Sequence, residues 1–405
     1  MSRAMSGIRV LEVAAWTFVP AAGAVMADWG ADVIKVEHPE LGDPQRGLIS
    51  MGLIPGGDSA VNYIIEQPNR GKRSIGLDIS TEGGREILYK LVESADVFLT
   101  SFLPDVRERL KIDVEHIRAV NPNIVYVRGS GQGTKGPDAG KGGYDGASYW
   151  ARGGVADALT PADNEWPIAP RAAFGDLPGG MTIAGGIAAG LLQRERTGEA
   201  PVVDVSLLAC AAWQLSPDIV ASGLYGGDPM PKIDRSLAPN VLVGNYRTKD
   251  GRFISLMMLQ GDRFWPDFCS VIDRPDLLTD ERFKDAASRF ANAEECVAEM
   301  DAIFAARTYD EWKETLSRLI GVWAPVQQAN ELVKDPQVIA NGYVPRVVRE
   351  DGVEFDLVAN PVQFDEEHEQ LVAAPEHGQH TEEILLEMGY DWDAIIARKE
   401  AGDIL

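Results

Sequence analysis

The sequence predicts an α/β protein with a mainly parallel sheet, together with a smaller unit of mixed α+β structure. In the first half of the chain, short runs rich in β-branched residues alternate with helical patterns, which is typical of βαβ units. Glycine and proline become frequent after about residue 215, which indicates a linker. Helical patterns rich in aromatic residues follow to about residue 320. With 405 residues, the chain is long enough for two such cores.

The first βαβ unit is predicted as a strand at residues 8–13, an alanine-rich helix at 20–29 and a strand at 32–37. Because the crossover returns the chain in the same direction, these two strands should be parallel. The intervening loop, residues 14–20, lacks the GxGxxG pattern of a dinucleotide-binding turn. The sequence therefore does not support a dinucleotide cofactor.

The alternation continues with three more strands and the helices between them. The predicted strands are residues 74–78, 96–100 and 124–128, and the helical segments lie in residues 81–94 and 106–120. Because parallel strands end at one edge, Glu37, Thr100 and Gly129 should face a common rim where ligands bind. The glycine-rich residues 129–154 then suggest a functional loop. Residues 202–206 fit either a strand or the entry to the next helix.

The later part of the chain predicts a hairpin at residues 246–256, followed by helices with their own aromatic core. The expected core side chains are Trp265, Phe268, Phe290, Met300, Phe304 and Trp312. The final region returns to strands at 343–349 and 354–358 and to a helix at 381–388.

Composition excludes several classes of function. The 62 acidic and 38 basic residues give a net charge of −24, which opposes binding to nucleic acid or to an anionic membrane. Any anionic ligand must therefore meet a local basic patch. The three cysteines lack metal-ligand spacing, so we expect no metal site and a reduced, cytoplasmic protein. We see no apolar signal core at the start and no apolar stretch long enough to span a membrane.

Asp176 is the most distinctive candidate for chemistry, because it lies among Gly175, Pro178, Gly179 and Gly180 just before an apolar helical run. It could cap that helix by accepting its first N–H groups. Alternatively, it could be a nucleophile whose access the glycines keep clear. In either role, the helix N-terminus should keep its carboxylate ionised. The residue pattern alone leaves both roles open.

A series of short segments, in order along nearly the whole chain, resembles the class III coenzyme A transferases. That family includes formyl-CoA and carnitine CoA-transferases and α-methylacyl-CoA racemases. The matching segments are residues 7–13, 27–37, 69–78, 95–99, 121–126, 131–137, 144–145, 175–176, 196–198, 203–206 and 360–362. Each segment is a weak signal, but their order is specific.

The resemblance implies a large, doubly wound, Rossmann-like α/β domain built from both chain ends. The corresponding boundaries would be 1–215 for its first part, 216–235 for a linker, 236–325 for the small α+β domain, and 326–405 for a second linker and the return. It also implies a homodimer of interlocked subunits. Acyl-CoA and a carboxylic acid would be substrates, with no tightly bound cofactor.

The resemblance also places Asp176 at the family's catalytic aspartate. An acyl-CoA would give an acyl–aspartyl anhydride and then an aspartyl-CoA thioester on this residue. Backbone N–H groups near Gly175, Gly179 and Gly180 are candidates to stabilise the oxyanions. Incidental helix capping is the alternative role for this segment.

For the CoA phosphates, the resemblance points to Asn69, Arg70, Lys72 and Arg73, the densest basic cluster before Asp176. The alternative is an ordinary solvated run of charges. His38 occupies a position where the family often has arginine near the adenosine, although loop histidines are commonly just exposed.

Near the thioester, the resemblance points to Trp16 and Thr17 on the first βα loop, with packing of Trp16 in the core as the alternative. Lys141 and Tyr144 lie near positions that contact CoA in the transferases. Racemases carry a histidine base where Tyr144 stands, and tyrosine is a poor base at neutral pH. The remaining histidines, His116, His368, His377 and His380, lie in no matching segment.

Two other functions remain open: an acyl-CoA racemase or isomerase, and a non-catalytic acyl-CoA binding protein. The substrates are not readable, although Tyr149, Trp150 and Met181 hint at an apolar acyl group. The chain lacks the GGGGQ-type loop of formyl-CoA transferases, and residues 256–260 do not replace it. Formyl or oxalyl specificity is therefore not expected.

Overall fold

The computed structural model describes residues 3–56, 59–232, 234–367 and 370–405, so His368 lies outside the described residues. The chain forms two compact units. Unit 1 comprises Met1–Thr160, Pro167–Asp228 and Pro336–Leu405, and unit 2 comprises Pro161–Trp166 and Pro229–Asp335.

Unit 1 is built on a parallel sheet of six strands in the order β3-β2-β1-β4-β5-β6. The strands are β1 Arg9–Val13, β2 Asp32–Glu37, β3 Arg73–Gly76, β4 Val97–Thr100, β5 Val125–Ser130 and β6 Val202–Ser206. The mainly parallel α/β prediction is thus confirmed, and residues 202–206 form a strand. The strand order changes direction between β1 and β4, where such sheets open a crevice at the carboxyl ends of the strands.

Helices cover both faces of this sheet because successive strand residues point to opposite sides. Val10 and Val97 pack into one core, whereas Leu11 and Phe98 pack into the other. The helices of unit 1 before residue 230 are α1 Phe18–Asp28, α2 Tyr63–Asn69, α3 Glu82–Glu93, α4 Pro104–Leu110, α5 Val114–Val120, α6 Val155–Leu159, α7 Asp176–Thr197, α8 Leu207–Gln214 and α9 Ser216–Leu224. Residues Asp145–Ala151 form a short π-helix.

Helices α1 and α7 lie close together, and glycines make this contact possible. A Cβ atom on Gly179 would lie 2.4 Å from the Phe18 ring, and one on Gly180 would lie 2.6 Å from the Ala21 Cβ atom. Such distances are far below van der Waals contact, so a larger residue would push the helices apart. Gly179 and Gly180 therefore allow the two helices to pack closely, whereas we had expected them to keep access to Asp176 clear.

Unit 2 has an antiparallel sheet in the order β7-β8-β9, which includes the predicted hairpin. Its elements are β7 Val243–Arg247, β8 Phe253–Met257, β9 Trp323–Pro325, α10 Gly261–Val271, α11 Ala286–Ala291, α12 Ala293–Ala305 and α13 Tyr309–Leu316, with 3-10 turns at Arg235–Leu237, Pro275–Leu278 and Ala329–Lys334. The expected core aromatics are buried, with one exception. Phe290 is 61% exposed, so its placement in the core was wrong.

The last part of the chain belongs to unit 1. It contains α14 Pro336–Ala340, β10 Arg346–Val348, β11 Glu354–Asp356, α15 Thr381–Glu387 and α16 Trp392–Glu400, of which α16 was not predicted. Helix α9 occupies the first half of the stretch that we predicted as a linker. Among the described residues, no single helix is long and apolar enough to cross a membrane, and only the bent pair α8–α9 passes that test together.

Candidate active site

Asp176 is the first residue of α7, and its side chain does not cap the helix. The Asp145 side chain caps the helix instead. Both of its carboxylate oxygens lie 3.0 Å from the Gly175 nitrogen, so Asp145 accepts the N–H at the start of the helix. A carboxylate that accepts the first N–H groups of a helix stabilises that end. The capping interpretation therefore applies to Asp145, which leaves the Asp176 carboxylate available for another role.

The environment of Asp176 favours its neutral form. Burial, together with the negative charge of Asp145, raises the pKa of Asp176 from its ordinary value of 3.8 to about 7. Burial also raises the pKa of Asp145, although the hydrogen bond from the Gly175 N–H opposes this shift. We had expected the helix N-terminus to keep Asp176 ionised. That expectation was wrong because burial disfavours the charged form and because Asp145, which accepts from the Gly175 N–H, adds a like charge.

Asp176 lines a cavity of about 280 Å³ at the carboxyl ends of β1, β4 and β5. The cavity lies at the crevice that the strand order predicts. Its apolar walls come from Phe18, Phe102, Leu103, Val106 and Leu207. Among the described residues that line it, Asp176 carries the one carboxyl group, and there is no lysine, arginine or histidine. Such a cavity can bind an uncharged group and keep water from a reacting carboxylate.

Trp16 and Tyr144, two of the residues that the resemblance points to for CoA, also line this cavity. Their rings meet edge to face, with centroids 5.4 Å apart. Trp16 has a φ of +72°, which is unusual for a residue with a side chain. Thr17 is buried, and its hydroxyl donates to Gln45 Oε1 at 2.8 Å, so it faces the fold and not the cavity.

The backbone N–H groups that we expected to stabilise an oxyanion are already engaged. The Gly175 amide donates to Asp145, and the Gly179 amide donates to the Gly175 carbonyl at 3.0 Å. Gly180 is buried within α7. The loop glycines Gly142 and Gly143 line the cavity instead. Within the described part of the chain, their N–H groups have no protein acceptor.

The basic cluster of residues 69–73 does not form an open phosphate site in this structure. Lys72 is fully buried, and its Nζ lies 2.7 Å from Glu12 Oε2 and 3.1 Å from the Asn69 side-chain oxygen. Burial lowers the pKa of Lys72 to about 8, although Glu12 opposes the shift. The ammonium group thus compensates a buried carboxylate and is not free for a ligand.

The two arginines of the cluster are likewise paired with carboxylates. Arg70 Nη2 lies 2.7 Å from Asp28 Oδ2, and both side chains are buried. Arg73 lies 2.8 Å from Asp32 and 2.9 Å from Glu387. None of these cations lines the cavity of Asp176.

His38 and Lys141 lie outside the cavity lining but have exposed side chains. The His38 Nδ1 atom accepts from the Glu40 nitrogen, and its Nε2 atom is 3.7 Å from Asp78. Lys141 is 72% exposed and lies 2.7 Å from Asp138. The apolar residues that we had associated with the acyl group are not in the lining either. Tyr149 and Trp150 are buried in the core, and Met181 packs against it.

Sequence reasoning missed Asp145 and the β4–α4 loop, residues 101–103, which forms a wall of the cavity. The available signals were the position of Asp145 directly after Tyr144 and the predicted rim at Thr100. No group of histidine, cysteine, aspartate or glutamate side chains in the described ranges is arranged to hold a metal ion.

Comparison with known proteins identifies the family. The profile of CoA-transferase family III matches residues 5–381. The chain is 31% identical over 392 residues to the (R)-2-hydroxy-4-methylpentanoate CoA-transferase of Clostridioides difficile, which covers 96% of this chain and 97% of the relative. It is 32% identical over 407 residues to the cinnamoyl-CoA:phenyllactate CoA-transferase of Clostridium sporogenes, covering 99% and 97%.

A solved structure agrees with the sequence comparison. A CaiB/BaiF family protein from Brucella suis superposes with a TM-score of 0.82 at 28% identity, covering 96% of this chain and 100% of that one. The resemblance inferred from the sequence is thereby confirmed. The protein belongs to CoA-transferase family III and is an enzyme of that class.

Proposed function

We propose that the protein moves CoA from an acyl-CoA thioester to a carboxylic acid, with Asp176 as the covalent nucleophile. The observation that carries this proposal is the position of Asp176. Its side chain is the one carboxyl group among the described residues lining an apolar cavity in unit 1, and a pKa of about 7 leaves part of it ionised at neutral pH. A desolvated carboxylate that accepts no helix N–H group is suited to attack a carbonyl carbon.

The exchange proceeds in balanced steps. An Asp176 oxygen attacks the donor acyl carbonyl and expels CoA thiolate, giving an acyl–aspartyl anhydride. The thiolate attacks the aspartyl carbonyl, which forms aspartyl-CoA thioester and releases the donor acid with that oxygen. The acceptor carboxylate then attacks the aspartyl carbonyl and expels the thiolate. Finally, the thiolate attacks the acceptor acyl carbonyl, which releases the new acyl-CoA and restores the Asp176 carboxylate.

Each of these attacks places negative charge on a carbonyl oxygen. The N–H groups of Gly142 and Gly143 are the best candidates to stabilise it, because they line the cavity and have no acceptor among the described residues. A glycine is required at 143, since a Cβ atom there would lie 2.0 Å from Ser148 Oγ. Gly175 and Gly179 contribute to the fold of the segment instead.

The cavity favours acyl groups without a second charge. Its described lining includes no cation, and Asp176 and Asp145 would repel another carboxylate. Two relatives are named for such acids, 2-hydroxy-4-methylpentanoate and phenyllactate, at 31% and 32% identity. By comparison, the succinyl-CoA:glutarate CoA-transferase of Mus musculus, which is named for two dicarboxylic acids, is 28% identical. We therefore propose an apolar monocarboxylic acyl group as donor and acceptor.

For CoA itself, we propose that Trp16 and Tyr144 contact the thioester end and that exposed Lys141 and His38 face the phosphates and the adenosine. We further propose that CoA acts as a substrate and that no cofactor is bound permanently.

We also propose a cytoplasmic homodimer of interlocked subunits, with the domain boundaries that the family resemblance implies. Exposed apolar side chains support an interface on α8 and α9, where Trp213 is 82% and Leu224 is 78% exposed. The three cysteines are free, which fits a reducing compartment.

Racemisation is the alternative on this scaffold. It needs two bases beside the α-carbon, and Tyr144 stands where a racemase has histidine. Tyr144 is 62% exposed, and an exposed phenol is a poor base at neutral pH. This observation favours transfer over proton abstraction.

Trapping with hydroxylamine tests the proposal. Incubation with acyl-CoA and hydroxylamine should convert Asp176 to a hydroxamate in the wild type, as detected by peptide mass. Asp393→Asn is the matched control, since Asp393 also lies in the first turn of a helix but is exposed. This variant should react like the wild type, whereas Asp176→Asn should not react. Exchange of the α-proton into D2O without an adduct would instead establish a racemase, and full turnover by Asp176→Asn would exclude the nucleophile.

A further inference from the structure

The loop between β1 and α1 is fixed by a buried ion pair from outside the loop. Lys35, on β2, donates to the Ala14 carbonyl at 3.0 Å. Its Nζ atom lies 2.9 Å from Asp43 Oδ2. Asp43 in turn accepts from the backbone N–H of Trp16 through Oδ1, at 3.2 Å. One pair of opposite charges thus holds both ends of the Ala14–Trp16 backbone.

The pair is deeply buried. The Lys35 side chain has no exposed surface, and the Asp43 side chain is 1% exposed. No hydrogen bond of good geometry from the described residues reaches Asp43 Oδ2, so the Lys35 charge is its compensation. Burial by itself lowers the pKa of Lys35, but the charges of Asp43, Glu12 and Glu37 outweigh it and raise the pKa above its ordinary value. Removing one partner would leave the other as an uncompensated buried charge.

Two neutral contacts complete the attachment of the loop. The Ala15 N–H donates to Ser101 Oγ at 3.1 Å, and the Thr17 hydroxyl donates to Gln45 Oε1 at 2.8 Å. Every residue from Ala14 to Thr17 therefore has a contact to a side chain from outside the loop. Such a dense set of contacts can maintain a backbone conformation that the residue itself disfavours.

Trp16 is in such a conformation. Its φ of +72° lies in the left-handed region, where a Cβ atom makes unfavourable contacts. This conformation directs the indole to the Tyr144 ring and to the cavity of Asp176. A relaxed backbone at Trp16 would turn the indole elsewhere and change the wall of that cavity.

We propose that Asp43, through its pair with Lys35, is a positioning residue that holds Trp16 against the Asp176 cavity and so sets the affinity for the acyl-CoA thioester. This inference rests on the proposed function in one respect, the identity of the ligand. Neither Asp43 nor Lys35 lines the cavity, so both act through Trp16.

A second buried pair offers a matched control. Asp28 and Arg70 are each 3% exposed and lie 2.7 Å apart in the same unit. Asp28 also accepts from the Asn360 side chain, and its side chain has no hydrogen bond or ion pair with the β1–α1 loop among the described residues. Substituting Asp28 should therefore reproduce the loss of stability without moving Trp16.

Binding of S-butyl-CoA, a thioether that cannot react, tests the inference on the full-length protein. Asp43→Asn should weaken binding about tenfold in titration calorimetry, while Asp28→Asn, at a similar loss of thermal stability, should change it by less than about twofold. Trp16→Gly, which tolerates the positive φ but lacks the indole, should weaken binding as much as Asp43→Asn does. The double variant, Asp43→Asn with Trp16→Gly, should bind no more weakly than Trp16→Gly alone, because both changes remove the same contribution, that of the positioned indole.

Three results would overturn the inference. Folded Asp43→Asn could bind as tightly as the wild type, Asp28→Asn could bind as weakly as Asp43→Asn, or Trp16→Gly could leave binding unchanged. The last result decides the matter even if Asp43→Asn fails to fold. The thioether binds but is not transferred. If the wild type showed no CoA-transfer activity, the proposed function would be refuted, but this binding test would be unaffected.

Discussion

Replacing Asp176 with asparagine should stabilise the protein at neutral and alkaline pH. Raising the pKa of Asp176 from 3.8 to about 7 corresponds to about 4 kcal/mol against ionisation in the folded state. The side chain is partly exposed, and solvent screening reduces this value to about 1–3 kcal/mol. Asparagine has nearly the same shape and carries no charge, so the variant avoids this penalty.

The sign of the effect follows from proton binding. Below about pH 4, Asp176 is protonated in both the folded and the unfolded chain, and its titration makes no difference. Between about pH 4 and 7 the unfolded chain loses the proton first, so the wild type loses stability as the pH rises. Above about pH 7 the penalty is complete. The stability advantage of Asp176→Asn should therefore appear across this window and then level off.

Thermal unfolding of wild type and Asp176→Asn at several pH values measures this advantage. We expect nearly equal melting temperatures near about pH 4 and a gain of a few degrees for the variant near about pH 8. Asp393→Asn should show no such trend, because Asp393 is exposed. A difference that is flat with pH, or that favours the wild type at high pH, would refute the raised pKa.

Three further predictions concern the charge beside Asp176, the helix contact and the acyl group. Asp145→Asn removes the like charge beside Asp176, so the pH midpoint of kcat/KM should fall by about one unit from near 7 in a pH–rate profile. An unchanged midpoint would contradict the electrostatic effect of Asp145 on Asp176. Gly180→Ala should destabilise the protein by about 1–3 kcal/mol in thermal or denaturant unfolding, because the alanine Cβ atom has no room. The control Gly185→Ala lies in open space on the same helix and should be neutral or slightly stabilising. Succinyl-CoA should be used at least about tenfold less efficiently than its monomethyl ester in kcat/KM, and equal use would contradict an uncharged acyl site.

The sheet was predictable because its signals are local. β-branched runs separated by amphipathic helices define a parallel α/β unit, and β2 coincides with the predicted strand at residues 32–37. Helical segments were predicted within residues 106–120, but the position of the break between α4 and α5 was not. It occurs at Lys111, with a φ of +57°, where no glycine marks the left-handed turn. Periodicity reports which residues face the core, but it does not report such a turn.

The candidate site was predictable only in part because its details depend on distant contacts. Asp176 was identifiable from its flanking glycines and from the order of the surrounding motifs. The cap that Asp145 provides joins residues 30 positions apart. The neutralisation of Lys72 by Glu12 joins residues 60 positions apart. A basic run in a sequence therefore cannot reveal whether its charges are free for a ligand or paired inside the fold.

Covalent catalysis by Asp176 is tested most directly by following one oxygen atom of the acceptor acid. In the proposed exchange, the acceptor acid attacks the aspartyl-CoA thioester, and the thiolate then cleaves the anhydride on the acceptor side. One oxygen of the acceptor carboxylate is therefore left on Asp176. With an acceptor acid labelled in both carboxylate oxygens with ¹⁸O, peptide mass spectrometry after turnover should find the label on Asp176. Turnover that transfers CoA without placing any ¹⁸O on Asp176 would contradict the central claim.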